Sequence, residues 1–132
     1  MNRVVARLTD GRVVKGMTAD FFPPRDLFHV SAVGAPPGVK PEEVRIQDLK
    51  AMFFVKDLAG DPEHVQRNEF GESRPRAERP IRVVFNDGEV LVGTTAGYSP
   101  GRVGFFLTPA DPDSNIDRCY VATAATREIS FL

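Results

Sequence analysis

From Phe85 to Leu107 the chain reads FNDGEVLVGTTAGYSPGRVGFFL, and from Leu8 to Val30 it reads LTDGRVVKGMTADFFPPRDLFHV. Laying Gly11 on Gly88 sets an offset of 77 (88 − 11), which holds without a gap along both stretches. Asp10 then meets Asp87, Val13 meets Val90, Gly16 meets Gly93, and Thr18 and Ala19 meet Thr95 and Ala96. Pro23 meets Pro100, Arg25 meets Arg102, Phe28 meets Phe105, Val44 meets Val121 and Phe54 meets Phe131. A fixed offset that preserves turn residues and apolar positions together is the mark of an internal repeat.

Working outward, each copy reads as a series of short strands. VVARL and IRVVF lead into Asp-Gly, a strong hairpin signal because glycine takes positive φ and aspartate tolerates the turn. RVVKG and EVLVG return as second strands, and the closing Gly16 and Gly93 predict a bend or a close approach of another backbone. Prolines punctuate a turn before LFHV and GFFL, the third strands. Proline-rich loops follow, and VRIQDLKAMFFV and YVATAATREISFL each read as two strands broken by a tight turn. Many short strands between glycine and proline turns predict an all-β fold of two small, bent barrels in tandem.

Alternation along those strands picks out a core. Val4, Ala6 and Leu8 are matched by Ile81, Val83 and Phe85; Val14 by Leu91; Phe28 and Val30 by Phe105 and Leu107; Met52 and Phe54 by Ile129 and Phe131. On the opposite faces the copies differ. Arg7, Lys15 and His29 stand where the second copy has Val84, Val92 and Phe106, whereas Leu27 and Phe53 stand where it has Gly104 and Ser130. Each copy thus carries an outward apolar patch in its own place, and such a patch is expected to meet the other copy or a second chain. The expected organisation is a first repeat over 1–56, a polar linker over 57–79 and a second repeat over 80–132. Within the linker, Asp61-Pro62 is a start signal for a short helix reaching Phe70.

The 132 residues carry 17 basic and 18 acidic side chains, a net charge of −1 that gives no reason to expect nucleic acid. No apolar run is long enough to span a membrane, and the MNRVVARLTDGR start lacks a signal-peptide pattern. A single cysteine, Cys119, leaves no internal disulfide and fits a cytoplasmic protein.

Leu8, Asp10-Gly11-Arg12, Val14, Gly16 and Phe21 resemble the first signature of the Sm-like family. Phe85, Asp87-Gly88, Leu91, Gly93 and Tyr98 resemble it equally, with Glu89 in place of the arginine. The resemblance implies strongly bent five-stranded barrels that pair edge to edge. The family's RNA-binding loop carries an Asp and an Asn after the bent strand. Here Phe22-Pro23-Pro24-Arg25 and Ser99-Pro100-Gly101-Arg102 stand there, and the second signature is missing from both copies.

Candidate site residues are few. Arg25 and Arg102 follow equivalent turns and suit an anion, as do Arg12 and Lys15. A structural role, the arginine stem lying over Phe28 or Phe105, is the more common use of such residues. Asp111, Asp113, Asn115 and Asp117 alternate as in a calcium loop, but Ile116 occupies the position that such a loop gives to glycine. No nucleophile–base set, phosphate loop or metal spacing is present around Cys119, His29 or His64. The expectation is a non-catalytic interaction module with no cofactor, binding a protein partner or itself. The competing expectation is an RNA binder using Arg12, Lys15, Arg25 and Arg102.

Overall fold

The computed structural model describes residues 2–22, 25–58, 78–111 and 113–132. The helix expected between Asp61 and Phe70 lies outside them. Ten strands are present among the described residues: β1 (Asn2–Leu8), β2 (Val13–Thr18), β3 (Leu27–Val30), β4 (Glu42–Arg45), β5 (Leu49–Val55), β6 (Arg79–Phe85), β7 (Val90–Thr95), β8 (Gly104–Pro109), β9 (Ile116–Ala122) and β10 (Thr126–Phe131). Three-residue 3₁₀ turns, Ile46–Asp48 and Thr123–Ala125, are the tight turns ahead of β5 and β10. The fold is all-β, and among the described residues no helix is long and apolar enough to cross a membrane. The starts of β1 and β6, β2 and β7, β3 and β8, and β5 and β10 are separated by the same 77 residues as Gly11 and Gly88.

The hairpins form as the sequence dictates, with a specific geometry. Gly11 and Gly88 have φ of 93° and 91°, and among the described residues no other residue type takes positive φ. The Gly11 amide donates to the Leu8 carbonyl and the Gly88 amide to the Phe85 carbonyl, so each loop is a tight turn ending in a left-handed glycine. Asp10 and Asp87 fix it by accepting from the Arg12 and Glu89 amides at 2.9 and 3.0 Å. Gly16 and Gly93 have a different role. A Cβ on either would collide with the Ser31 or Thr108 carbonyl oxygen, because the third strand crosses there at close range.

Eight strands form one antiparallel sheet in the order β10-β6-β7-β8-β9-β5-β1-β2. β3 and β4 form a two-stranded sheet, joined to β2 by the bridge Met17↔Ser31. The sequence predicts two small bent barrels in tandem. Instead the strand order is open, and the two halves are continuous through β5, which pairs with β9 in the register Met52↔Tyr120 and Phe53↔Cys119. The cause is the apolar composition of β5, LKAMFFV, which is buried along its whole length and can accept neighbours on both edges and cover on both faces.

The expected core is buried in both halves from Val4 and Ala6 to Leu107, with one exception. Met52 and Phe54 on β5 are 0% and 5% exposed, whereas their counterparts on β10 lie open, Phe131 being 38% exposed and Ile129 half-buried. The difference is the neighbour: β5 has β9 beside it, and β10 is the last strand of the sheet.

Candidate interaction surface

Three features could engage a partner: the junction between halves, the cleft beside it, and the two ends of the strand ladder. The junction shows how this chain satisfies a strand edge. Phe21 stands edge-on to Phe28 and Phe54 of its own half, with centroids at 5.0 and 5.8 Å, and to Tyr120 and Phe106 of the other, at 5.2 and 6.4 Å. The Arg118 guanidinium lies 4.4 Å from the Phe54 ring centre and 4.8 Å from that of Phe106. Gly104 makes room for this cluster, since a Cβ there would meet the Tyr120 hydroxyl at 2.5 Å. The outward Phe106 is half-buried in this cluster, whereas the outward Phe53, on the other face of β5, is buried with the Arg7 guanidinium 5.1 Å from its ring centre.

Charge completes the junction on the other side. Lys50 is buried within the apolar β5, its Nζ 2.7 Å from Asp87 Oδ2 and 3.4 Å from Glu89 Oε2, and 4.8 Å from the Phe85 ring centre. Arg7 reaches Glu89 at 3.2 Å. The bond from Lys50, helped by the Glu89 amide, holds the Asp87 carboxyl below the usual carboxylate range. Glu89, which replaces Arg12 in the second hairpin, therefore serves to dock the halves. In the first hairpin Arg12 turns back on Asp10 at 2.9 Å, and its amide and guanidinium hold that carboxyl low.

Around this network opens a cleft of about 1140 Å³, whose walls include Arg7, Lys15, Lys50, Phe53, Asp87 and Glu89. Sequence reading missed it. The available signals were a lysine inside an otherwise apolar strand and the Arg-to-Glu change between hairpins. The cleft carries both signs of charge, and three of its cations, Arg7, Lys50 and Lys56, already have carboxylate partners.

Of the four candidate anion contacts, Arg12 follows the first hairpin turn, Lys15 is on β2, and Arg25 and Arg102 precede β3 and β8. Arg12 is engaged by Asp10 and lies 3.8 Å from Glu42. Lys15 faces the cleft. Arg25 and Arg102 sit in exposed turns, their amides donating to the Phe22 and Ser99 carbonyls. In the Asp111–Asp117 segment the side chains bond to backbone: Asp111 accepts from the Asp113 amide, Ser114 from the Ile116 amide, and Asn115 exchanges two bonds with Asp57. Among the described residues no group of three His, Cys, Asp or Glu is placed to hold a metal ion. Cys119 is fully buried, and burial pushes its thiol pKa up, away from a reactive thiolate. His29 Nδ1 lies 2.7 Å from Asp20 Oδ2. Burial raises the Asp20 carboxyl, but the His29 amide, its ring and the Thr18 hydroxyl outweigh that and leave it lowered.

The ends of the ladder are β10 and β4, and among the described residues neither has a strand beyond it. At β10 the aromatic cluster is half built: Tyr98 meets Phe105 at 5.0 Å and Phe131 at 5.5 Å, and Arg79 covers the Phe131 ring at 3.7 Å.

The fold and its surfaces define an all-β protein whose two halves meet through a shared strand edge and whose outer edges have no strand beyond them among the described residues. The chain belongs to the DUF6982 family, a family of unknown function, whose model matches residues 1–132. No curated protein and no solved structure matches it.

Proposed function

We propose that this chain is a non-catalytic interaction module: two Sm-like units side by side, curled rather than closed, whose outer edges receive a β-strand from a protein partner or from another copy. The observation that carries this reading is the contrast between Met52 and Phe54, buried at the junction, and Ile129 and Phe131, left open on β10. An unpaired strand edge beside half-exposed aromatic side chains supplies both backbone hydrogen bonds and apolar area to an incoming strand. The ion pairs of Arg12, Arg7 and Lys50 fit this reading better than RNA binding, because cations engaged by carboxylates are less free to meet phosphates.

Size-exclusion chromatography with light scattering, with absorbance read at 260 and 280 nm, tests it. The chain has no Trp and two Tyr, so bound nucleic acid dominates its spectrum at once. The expected result is a protein-only peak at low and high salt. A peak rich in 260 nm absorbance that loses its excess in high salt overturns the reading in favour of RNA.

A further inference from the structure

The geometry points to a ligand site in the cleft beside the junction, for an organic anion that carries one carboxylate on an apolar chain. Lys15 and Arg7 hold the carboxylate, and the chain lies along Val5, Val55 and Ile116. This site is separate from the strand edges above and does not depend on them. The repeat shows what is particular about the place. Arg7 and Lys15, both exposed and lining the cleft, stand where the second half has Val84 and Val92, both buried. The same pair of positions is thus apolar and covered in one half, cationic and open in the other.

Strand register sets these groups in a pattern. β1 and β2 pair Val5 with Lys15 and Arg7 with Val13, so the two cations lie on one diagonal of that face and the two valines on the other. Diagonal neighbours on an antiparallel pair are about 7–8 Å apart, close enough for two long side chains to meet on one carboxylate. The valine diagonal continues across the sheet. Val5 pairs with Phe53, which puts Val55, two residues on, diagonally across from Val5, and Val55 pairs with Ile116 on β9. From Val5 to Ile116 this apolar track runs about 12 Å, two strand spacings across and two residues along. Val5 and Ile116 are half-buried and Val13 is 51% exposed, so the track presents apolar surface to the cleft.

The donors are available. Lys15 has no ion-pair partner among the described residues, unlike Arg7, Lys50 and Lys56. Arg7 spends only Nη1 on Glu89, and its guanidinium, held 5.1 Å from the Phe53 ring centre, has further N–H groups to offer. Glu89 balances the charge of Arg7, which leaves that of Lys15 for one carboxylate to neutralise. The floor also distinguishes an acyl chain from a peptide. β1 and β5 have a strand on either side, so the floor offers side chains and no free backbone edge. An extended peptide laid there would bury amides without partners, whereas an acyl chain has none to satisfy.

Titration of the full-length chain with decanoate, followed by isothermal calorimetry, tests the inference. The expected result is a single saturable site with a Kd on the order of 0.1 mM. Decyltrimethylammonium, the same chain with a cationic head, is expected to show no saturable binding. Lys15→Met keeps the stem and removes the charge, and should weaken decanoate binding about tenfold, whereas Lys15→Arg should hold it within about threefold. Val13→Glu, at an exposed position where the fold tolerates a polar side chain, should also weaken it about tenfold by setting a carboxylate beside the track. Arg102→Met, in the turn ahead of β8 and away from the cleft, should leave it unchanged. Far-ultraviolet circular dichroism checks that each variant is folded. No saturable binding up to about 5 mM decanoate overturns the inference. Equal binding by Lys15→Met and Val13→Glu would place the ligand elsewhere, and equal binding of the cationic analogue would make the contact apolar alone; either result overturns it as well.

Discussion

Phe54 and Phe131 occupy one position in two settings, and truncating each to alanine measures how open β10 is. Truncating a fully buried phenylalanine costs about 3–5 kcal/mol. Phe54, 5% exposed and packed against Phe21, Phe106 and Arg118, belongs in that range. Phe131 keeps about three-fifths of its surface covered and opens to water when truncated, leaving no closed cavity, so its cost is about 1.5–2.5 kcal/mol. With a urea dependence of about 1.5 kcal/mol per molar, a gap of about 2 kcal/mol separates the two variants by about 1.3 M in midpoint. The assay is urea unfolding at low micromolar protein, followed by far-ultraviolet circular dichroism because the chain has no Trp. Raising the protein concentration should enlarge the Phe131→Ala deficit and leave that of Phe54→Ala unchanged, since only the β10 edge is covered by association. Equal costs at low concentration would refute the reasoning, because they would mean that β10 is already covered within one chain.

Other outcomes follow from the same contacts. Gly16→Ala and Gly93→Ala should each lower stability by about 2 kcal/mol or more, since the new Cβ meets the Ser31 or Thr108 carbonyl, whereas Gly97→Ala, with nothing within 4 Å, should be neutral; thermal unfolding compares the three. Lys50→Met should be close to neutral in urea unfolding, because an apolar side chain of similar length suits the buried site. Asp87→Ala, which strips the nearer carboxylate from that lysine, should cost about 1–2 kcal/mol. The Asp20 carboxyl, lowered in the folded chain, stabilises it above the ordinary carboxylate value near 3.9, and that contribution is lost as pH falls through the lowered folded value. Asp20→Asn should therefore flatten the fall in urea midpoint between about pH 5 and 2, and an unchanged slope would remove Asp20 from the account.

The sequence by itself determined the all-β class, the hairpins, the two close-approach glycines and nearly all of the core. Each of these is a local matter: Asp-Gly needs a left-handed glycine, alternation faces one side of a strand, and Gly16 and Gly93 leave no room for a Cβ. Much of the interaction surface was not legible in this way. Arg25 and Arg102 look equivalent by position, and both stand exposed in turns ahead of β3 and β8. Glu89 reads in the sequence as a departure from the hairpin pattern, and nothing there pairs it with Lys50, which the fold sets 3.4 Å away. What only the tertiary structure decided was which edges meet. Period-two alternation assigns the faces of a strand and says nothing about its edges, whose backbone donors and acceptors are the same for every residue except proline. Thus Met52 and Phe54 on β5 and Ile129 and Phe131 on β10 read alike as core positions, and the pairing of β5 with β9 buries the first two while the second two lie open on the last strand of the sheet.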